Sequence, residues 1–178
     1  RSSEVSDPVV IEVALNGGCK KSRNPNVPVT PDEIVADALA CMRAGAQSVH
    51  NHIEDFRLTG AASAARYLEA WREIHAADPD VLLCPTVAAG ATIEERSSHV
   101  EELAKSGIVR LGPLDPGSVN FSGPGIGERG LPGPDSMVYS HSYKDCAYIL
   151  DQLDRRGTRS VGHRRLNVMP LIAVTKLH

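Results

Sequence analysis

Between residues 9 and 156, four segments of strand character alternate with four of helical character. That alternation constrains the chain to βαβ units, because a parallel neighbour is reached only through a crossover, usually a helix. Residues 9–15 (VVIEVAL) form an apolar run rich in β-branched side chains and stop at Asn16-Gly17-Gly18, which predicts a mostly buried first strand. After a polar loop, Thr30-Pro31-Asp32-Glu33 opens a helix, with Thr30 as N-cap, Pro31 at the first helical position and Glu33 completing a capping box. Ile34, Ala38, Leu39, Cys41 and Met42 follow at helical spacing, and Gly45 ends the helix.

The pattern then repeats. Residues 48–54 read as the second strand and 61–77 as a helix with Ala65, Leu68, Trp71 and Ile74 along one stripe. Residues 81–87 read as a strand, 93–106 as a helix capped by Thr92, 108–114 as a strand and 144–156 as a helix. Residues 115–134 read as a Gly/Pro-rich loop and 137–140 as a short extended piece. Both a doubly wound sheet and a (β/α)8 barrel fit this order, and in either one function gathers at the carboxyl ends of the strands. Polar or unusual residues cluster at those ends: Asn16-Gly17-Gly18, His50-Asn51-His52, Pro85-Thr86 and Gly112-Pro113-Leu114-Asp115.

The second strand carries the chemistry. Alternate residues of a strand leave from one face, so His50 and His52 point the same way with Cβ atoms about 6–7 Å apart. Both imidazoles can then reach one zinc ion at about 2.1 Å. Glu54 shares that face by the same alternation; it is either a third ligand or a strand-end carboxylate paired with Arg57. Without a third ligand the pair is a partial site.

Composition excludes several alternatives. A hydrophobic fraction of 42% and a net charge of -3 describe an ordinary soluble domain with no electrostatic reason to bind nucleic acid. No apolar run approaches the ~20 residues of a membrane span, and residues 1–8 lack a signal-peptide core. Cys19, Cys41, Cys84 and Cys146 form no Cys-x-x-Cys pair, so reduced thiols and a cytoplasmic setting are expected. Gly123-Pro124-Gly125-Ile126-Gly127 does not lie between a strand and a helix start, so it fails as a dinucleotide fingerprint. Glu95-Arg96-Ser97-Ser98-His99 reads as a solvated helix face with His99 packed sideways.

With these residues in order, the chain resembles the β-keto acid cleavage enzymes. The resemblance rests on Ala14-Leu15-Asn16-Gly17, on Asn24-Pro25-Asn26-Val27-Pro28-Val29-Thr30-Pro31-Asp32-Glu33, on Ala44-Gly45-Ala46 before His50-Asn51-His52, and on Pro85-Thr86 and Gly117-Ser118-Val119-Asn120-Phe121. It implies a zinc-dependent (β/α)8 TIM barrel that exchanges acyl groups between a β-keto acid and acetyl-CoA, giving acetoacetate and a new CoA thioester. It implies His50 and His52 as zinc ligands, and Asn16, Thr86, Ser118 and Asn120 on the substrate side. It also implies a homo-oligomer in the full-length form, with no nucleic acid or membrane as partner.

The family's third ligand, a late Glu, and its late catalytic Asp and Arg have no counterpart in this sequence, so the catalytic residues are unknown. One family member compared with this chain also has an Arg where this chain has Glu54. Residues 8–157 are therefore expected to form an incomplete barrel of about four βα units. Residues 158–178 are expected to be an irregular tail, frame-shifted or truncated, with 171–174 as its only weak strand candidate. Other readings are an inactive barrel fragment that binds metal or a partner chain, and a different metal-dependent barrel lyase.

Overall fold

The computed structural model describes residues 9–121, 137–155 and 159–160. The strands β1 (Glu12–Ala14), β2 (Ser48–Asn51) and β3 (Leu82–Pro85) form a parallel sheet in that order. The crossovers are α1 (Pro31–Arg43) and α2 (Gly60–Ala77). After α3 (Ile93–Ala104) come β4 (Leu111–Gly112), a hairpin of β5 (Gly117–Phe121) and β6 (Met137–His141), then α4 (Tyr143–Arg155) and β7 (Arg159–Ser160). The predicted parallel α/β architecture is present in these residues.

Local chemistry explains the first crossover. Thr30 Oγ1 accepts from Glu33 N at 3.3 Å, and Glu33 Oε2 accepts in return from Thr30 N at 3.0 Å and Val29 N at 2.9 Å. Lys21 Nζ reaches Glu33 Oε1 at 2.6 Å, which ties the preceding loop to the helix start. That lysine, followed by the two backbone amides, holds the Glu33 carboxyl down to about 2. Gly45 follows the helix at φ 108°, in the left-handed region that glycine adopts without strain.

Register decides which face of the sheet does what. Ala14, His50 and Cys84 form one row, with Glu12, Ser48 and Leu82 in the row below on the same face. Val13, Val49 and Leu83 alternate with them on the opposite face. Val49 and Leu83 are fully buried against Ile34, Val35 and Ala38 of α1 and Ala64, Tyr67, Ala70, Trp71 and Ile74 of α2. The core therefore lies between the sheet and its helices, and the His50 face is turned away from it. A smaller cluster joins Ile93 and Val100 of α3 to Ile149 and Leu153 of α4. At Gly112 an added Cβ would meet the Leu153 side chain, which would have to shift, so the glycine lets α4 pack closely on β4.

The structure differs from the sequence expectations in several places, and the strands expected over 48–54, 81–87 and 108–114 are shorter, at Ser48–Asn51, Leu82–Pro85 and Leu111–Gly112. Strand β1 covers only residues 12–14, and Val9, Val10 and Ile11 are at least half exposed. This is an edge strand that, among the described residues, pairs only with β2, so one side of it meets solvent. The buried stripe of α2 runs through Ser63, Ala64, Tyr67, Ala70, Trp71 and Ile74, and Ala65 is exposed. The expected loop after residue 115 contains β5, which pairs antiparallel with β6. Arg159–Ser160, in the expected irregular tail, pairs parallel with β4. The weak candidate at 171–174 lies outside the described residues.

Asn51 shows how a polar residue enters the helix-facing layer. It is 1% exposed, and its Oδ1 accepts from Trp71 Nε1 at 2.7 Å. Replacing Asn51 by Ala leaves the buried indole N–H without an acceptor. The expected loss is about 1–3 kcal/mol of unfolding free energy, read from urea denaturation followed by Trp71 fluorescence.

Candidate functional site

His50 is the third residue of β2, and His52 lies just past the strand end. Their rings face each other edge-on at 88°, with centroids 5.2 Å apart. The pair predicted from strand alternation is therefore assembled.

Neighbouring elements set each imidazole. His50 Nδ1 lies 3.1 Å from the Cys84 carbonyl oxygen on β3. A carbonyl only accepts, so this contact places the proton on Nδ1 and leaves the Nε2 lone pair available. His52 is fixed through its backbone: its N–H donates to Asn16 Oδ1 at 2.8 Å, and its carbonyl accepts from Asn16 Nδ2 at 2.9 Å. Asn16 Nδ2 also donates to Pro28 O at 3.1 Å. Asn16 thus continues the β1–β2 pairing beyond the strands and spends its amide on the backbone.

Electrostatics keep both rings neutral near pH 7. Burial holds His50 below its usual 6.5, against the upward pull of the Glu12 carboxylate, the Cys84 carbonyl and the Asp115 carboxylate. Burial and the neighbouring His50 lower His52 to about 4, with Asp115 opposing. Neutral imidazole is the form that binds a metal ion.

Glu12 and Asp115 were missed as candidates. Glu12 is the single charge inside the apolar run 9–15, and that interruption was the available signal. It accepts from Ser48 Oγ at 2.7 Å in the row beneath His50. Asp115 follows β4; its Oδ2 accepts from the Tyr139 hydroxyl at 2.7 Å, and its carbonyl lies 3.0 Å from His141 Nδ1. Arg96 stacks over the Tyr139 ring with its guanidinium carbon 5.0 Å from the centroid. Nothing local in the sequence links Asp115 to the second strand; the fold does so across more than sixty residues of chain.

The remaining expected residues are placed as follows. Thr86 lies one residue beyond β3, partly accessible, with its N–H and carbonyl bonded to Tyr67 and His99. Ser118 and Asn120 are exposed on β5, opposite Ser140 and Val138 of β6. Glu54 is exposed and bound by Arg66 Nε at 2.9 Å, while Arg57, its expected partner, is taken by Asp55 at 2.8 Å. His99 is fully buried, in keeping with its expected sideways packing, and Ser97 of the same segment is buried with it, where a solvated face was expected. Among the described residues no group of three or more His, Cys, Asp and Glu side chains lies close enough to hold a metal ion. The pair thus fits two protein ligands of a catalytic zinc, which uses three.

A parallel sheet with crossover helices and a histidine pair at its strand ends defines the class as an α/β protein with its polar cluster at the carboxyl end of the sheet. Residues 8–161 match the model of the beta-keto acid cleavage enzyme family, and the chain belongs to that family. It is 35% identical over 121 residues to a 3-keto-5-aminohexanoate cleavage enzyme of Acetoanaerobium sticklandii, covering 65% of this chain and 41% of that protein. It is 34% identical over 156 residues to a 3-dehydrocarnitine:acetyl-CoA trimethylamine transferase of Rhizobium meliloti, covering 73% and 49%. A 3-oxoadipate:acetyl-CoA acetyltransferase of Cupriavidus necator is 31% identical over 122 residues, covering 66% and 40%. The chain spans about half or less of the length of these curated relatives. Among the described residues no helix is long and apolar enough to cross a membrane.

The depressed histidines set a pH dependence. Above 6.5 they are neutral in the folded and unfolded chain alike. As pH falls from 6.5 towards 4, the unfolded chain takes up protons that the fold refuses, so stability is lost. Burial lowers His99 to about 4 against the pull of the Thr86 carbonyl. His99 alone should therefore cost about 2–3 kcal/mol between pH 7 and 4.5, measured by urea unfolding at the two pH values. Equal stability at both would contradict neutral burial.

Proposed function

We propose that this chain carries the metal-binding and substrate-lining first part of a β-keto acid cleavage enzyme, in a (β/α)8 barrel of which residues 8–157 form about four βα units. The reaction is acyl exchange between a β-keto acid and acetyl-CoA, yielding acetoacetate and a CoA thioester. The observation that carries this reading is the histidine pair: neutral, edge-on, and oriented from outside by Asn16 and the Cys84 carbonyl, in a chain of this family.

His50 and His52 are the residues that would hold zinc, and bound zinc would polarise the keto oxygen and stabilise enolate-like charge as the C–C bond forms or breaks. The third ligand that the resemblance implies is a late Glu with no counterpart in this sequence, and Glu54 is occupied by Arg66. Asp115 is held by the Tyr139 hydroxyl on the side of the sheet where it acts on both histidines. Asn16 acts by orienting His52, while Thr86, Ser118 and Asn120 line the β-keto acid. In the complete barrel the enzyme is a homo-oligomer.

A second reading has its own observation. Val9, Val10 and Ile11 are 76%, 51% and 50% exposed beside the open side of β1. An apolar edge of this kind favours pairing with another chain. On this reading the chain is an inactive barrel part that associates with a partner.

Two measurements separate these readings. Isothermal titration with zinc should show one site per chain, weakened roughly 100-fold or more in His50→Ala and about 10- to 100-fold in Asn16→Ala. Acetoacetate formation from acetyl-CoA and a β-keto acid should depend on zinc. Zinc binding that His50→Ala leaves unchanged would remove the metal assignment. Zinc binding without turnover, in a chain that sediments as an oligomer, would favour the second reading.

A further inference from the structure

The peptide groups of Thr86 are claimed on both sides by helix side chains. Its N–H donates to the Tyr67 hydroxyl at 3.2 Å. Its carbonyl lies 2.7 Å from His99 Nε2, so that nitrogen carries the ring proton. Tyr67 belongs to α2 and His99 to α3, and their rings stack at 13° with centroids 5.8 Å apart. Both are buried, at 2% and 0% exposure. Burial pushes the Tyr67 phenol well above its usual 10, so it remains a neutral hydroxyl.

The arrangement carries a cost. His99 Nδ1 is buried without a hydrogen-bond partner, and such an atom forfeits its hydration. A phenylalanine would fill similar space without that penalty. What it lacks is the donor to the Thr86 carbonyl. A main-chain carbonyl just past a strand end has left the ladder and needs a donor from elsewhere.

The structure assigns Tyr67 and His99 a positioning role: the stacked pair fixes the Thr86 peptide from the helix layer and so aims its side chain at a β-keto acid substrate. The assignment of a substrate to Thr86 rests on the proposed function; the clamp does not. Tyr67 and His99 are positioning residues that act through Thr86.

The test uses the chain in solution. In the unmodified protein, 15N-resolved imidazole NMR should show His99 as the Nε2–H tautomer. In Tyr67→Phe the Thr86 amide should exchange with solvent roughly fivefold to tenfold faster relative to Leu83, the loss expected for one hydrogen bond. His99→Gln, which retains an amide donor, should hold the Thr86 carbonyl 13C shift closer to the unmodified value than His99→Phe does. In a catalytically competent preparation, Tyr67→Phe and His99→Phe should raise KM for the keto acid severalfold and leave KM for acetyl-CoA unchanged. An Nδ1–H tautomer of His99, or Thr86 exchange unaltered in Tyr67→Phe, would overturn the clamp. A clamp seen by NMR in a protein that turns over no β-keto acid would uphold the positioning and refute the proposed function.

Discussion

The hydrogen bond from Trp71 Nε1 to Asn51 Oδ1 locks the second strand in one orientation. Strand side chains alternate, so a slip of one residue would exchange the two faces of β2. It would turn His50 into the helix layer and Val49 away from it. The Asn51–Trp71 bond opposes that slip with a buried polar contact, while Val49 and Leu83 oppose it through apolar burial. Because β2 is the middle strand, its orientation also sets the rows shared with β1 and β3. The middle letter of His-Asn-His thus holds the register that lets the outer two face together.

The residues assigned chemistry are held mainly through backbone groups. His52 is gripped at its N–H and carbonyl by Asn16, and Thr86 at the same two groups by Tyr67 and His99. His50 is oriented through its ring by the Cys84 carbonyl. In a parallel α/β sheet the ladder ends where function begins, so strand-end peptides need partners from outside the ladder. Here loops and helices supply them, leaving the side chains of the gripped residues for other contacts. Low local polarity keeps the imidazoles neutral, and the Glu12 and Asp115 carboxylates moderate that effect at His50.

Much of this frame was legible. Thr30, Pro31 and Glu33 declared the α1 start because capping is local chemistry. The His50–His52 pairing followed from period-two alternation and needed no tertiary information. Helical periodicity was less exact for α2, where Ala65 fits the apolar count as well as Ala64, and only packing against Val49 and Leu83 chose between neighbouring stripes. The extended piece expected at 137–140 is β6, but β5 and its pairing were hidden because a Gly/Pro-rich stretch gives no strand period and the two strands pair across a long separation. His99 was expected to pack sideways, but nothing beside it in sequence reveals the Thr86 carbonyl it reaches.

The amino-acid sequence by itself determined the parallel βα order, the helix caps, the family and the pair of histidines on one strand face. Each of these rests on contacts within a few residues or on a motif order readable along the chain. Tertiary structure alone decided that Glu54 turns to Arg66, that Asn16 grips His52, and that Asp115 shares its surroundings with both histidines. Those choices join residues that lie 12, 36 and more than 60 positions apart. Which of several competing partners a polar side chain takes at that range is set by strand register and helix packing, and neither is written in local propensity.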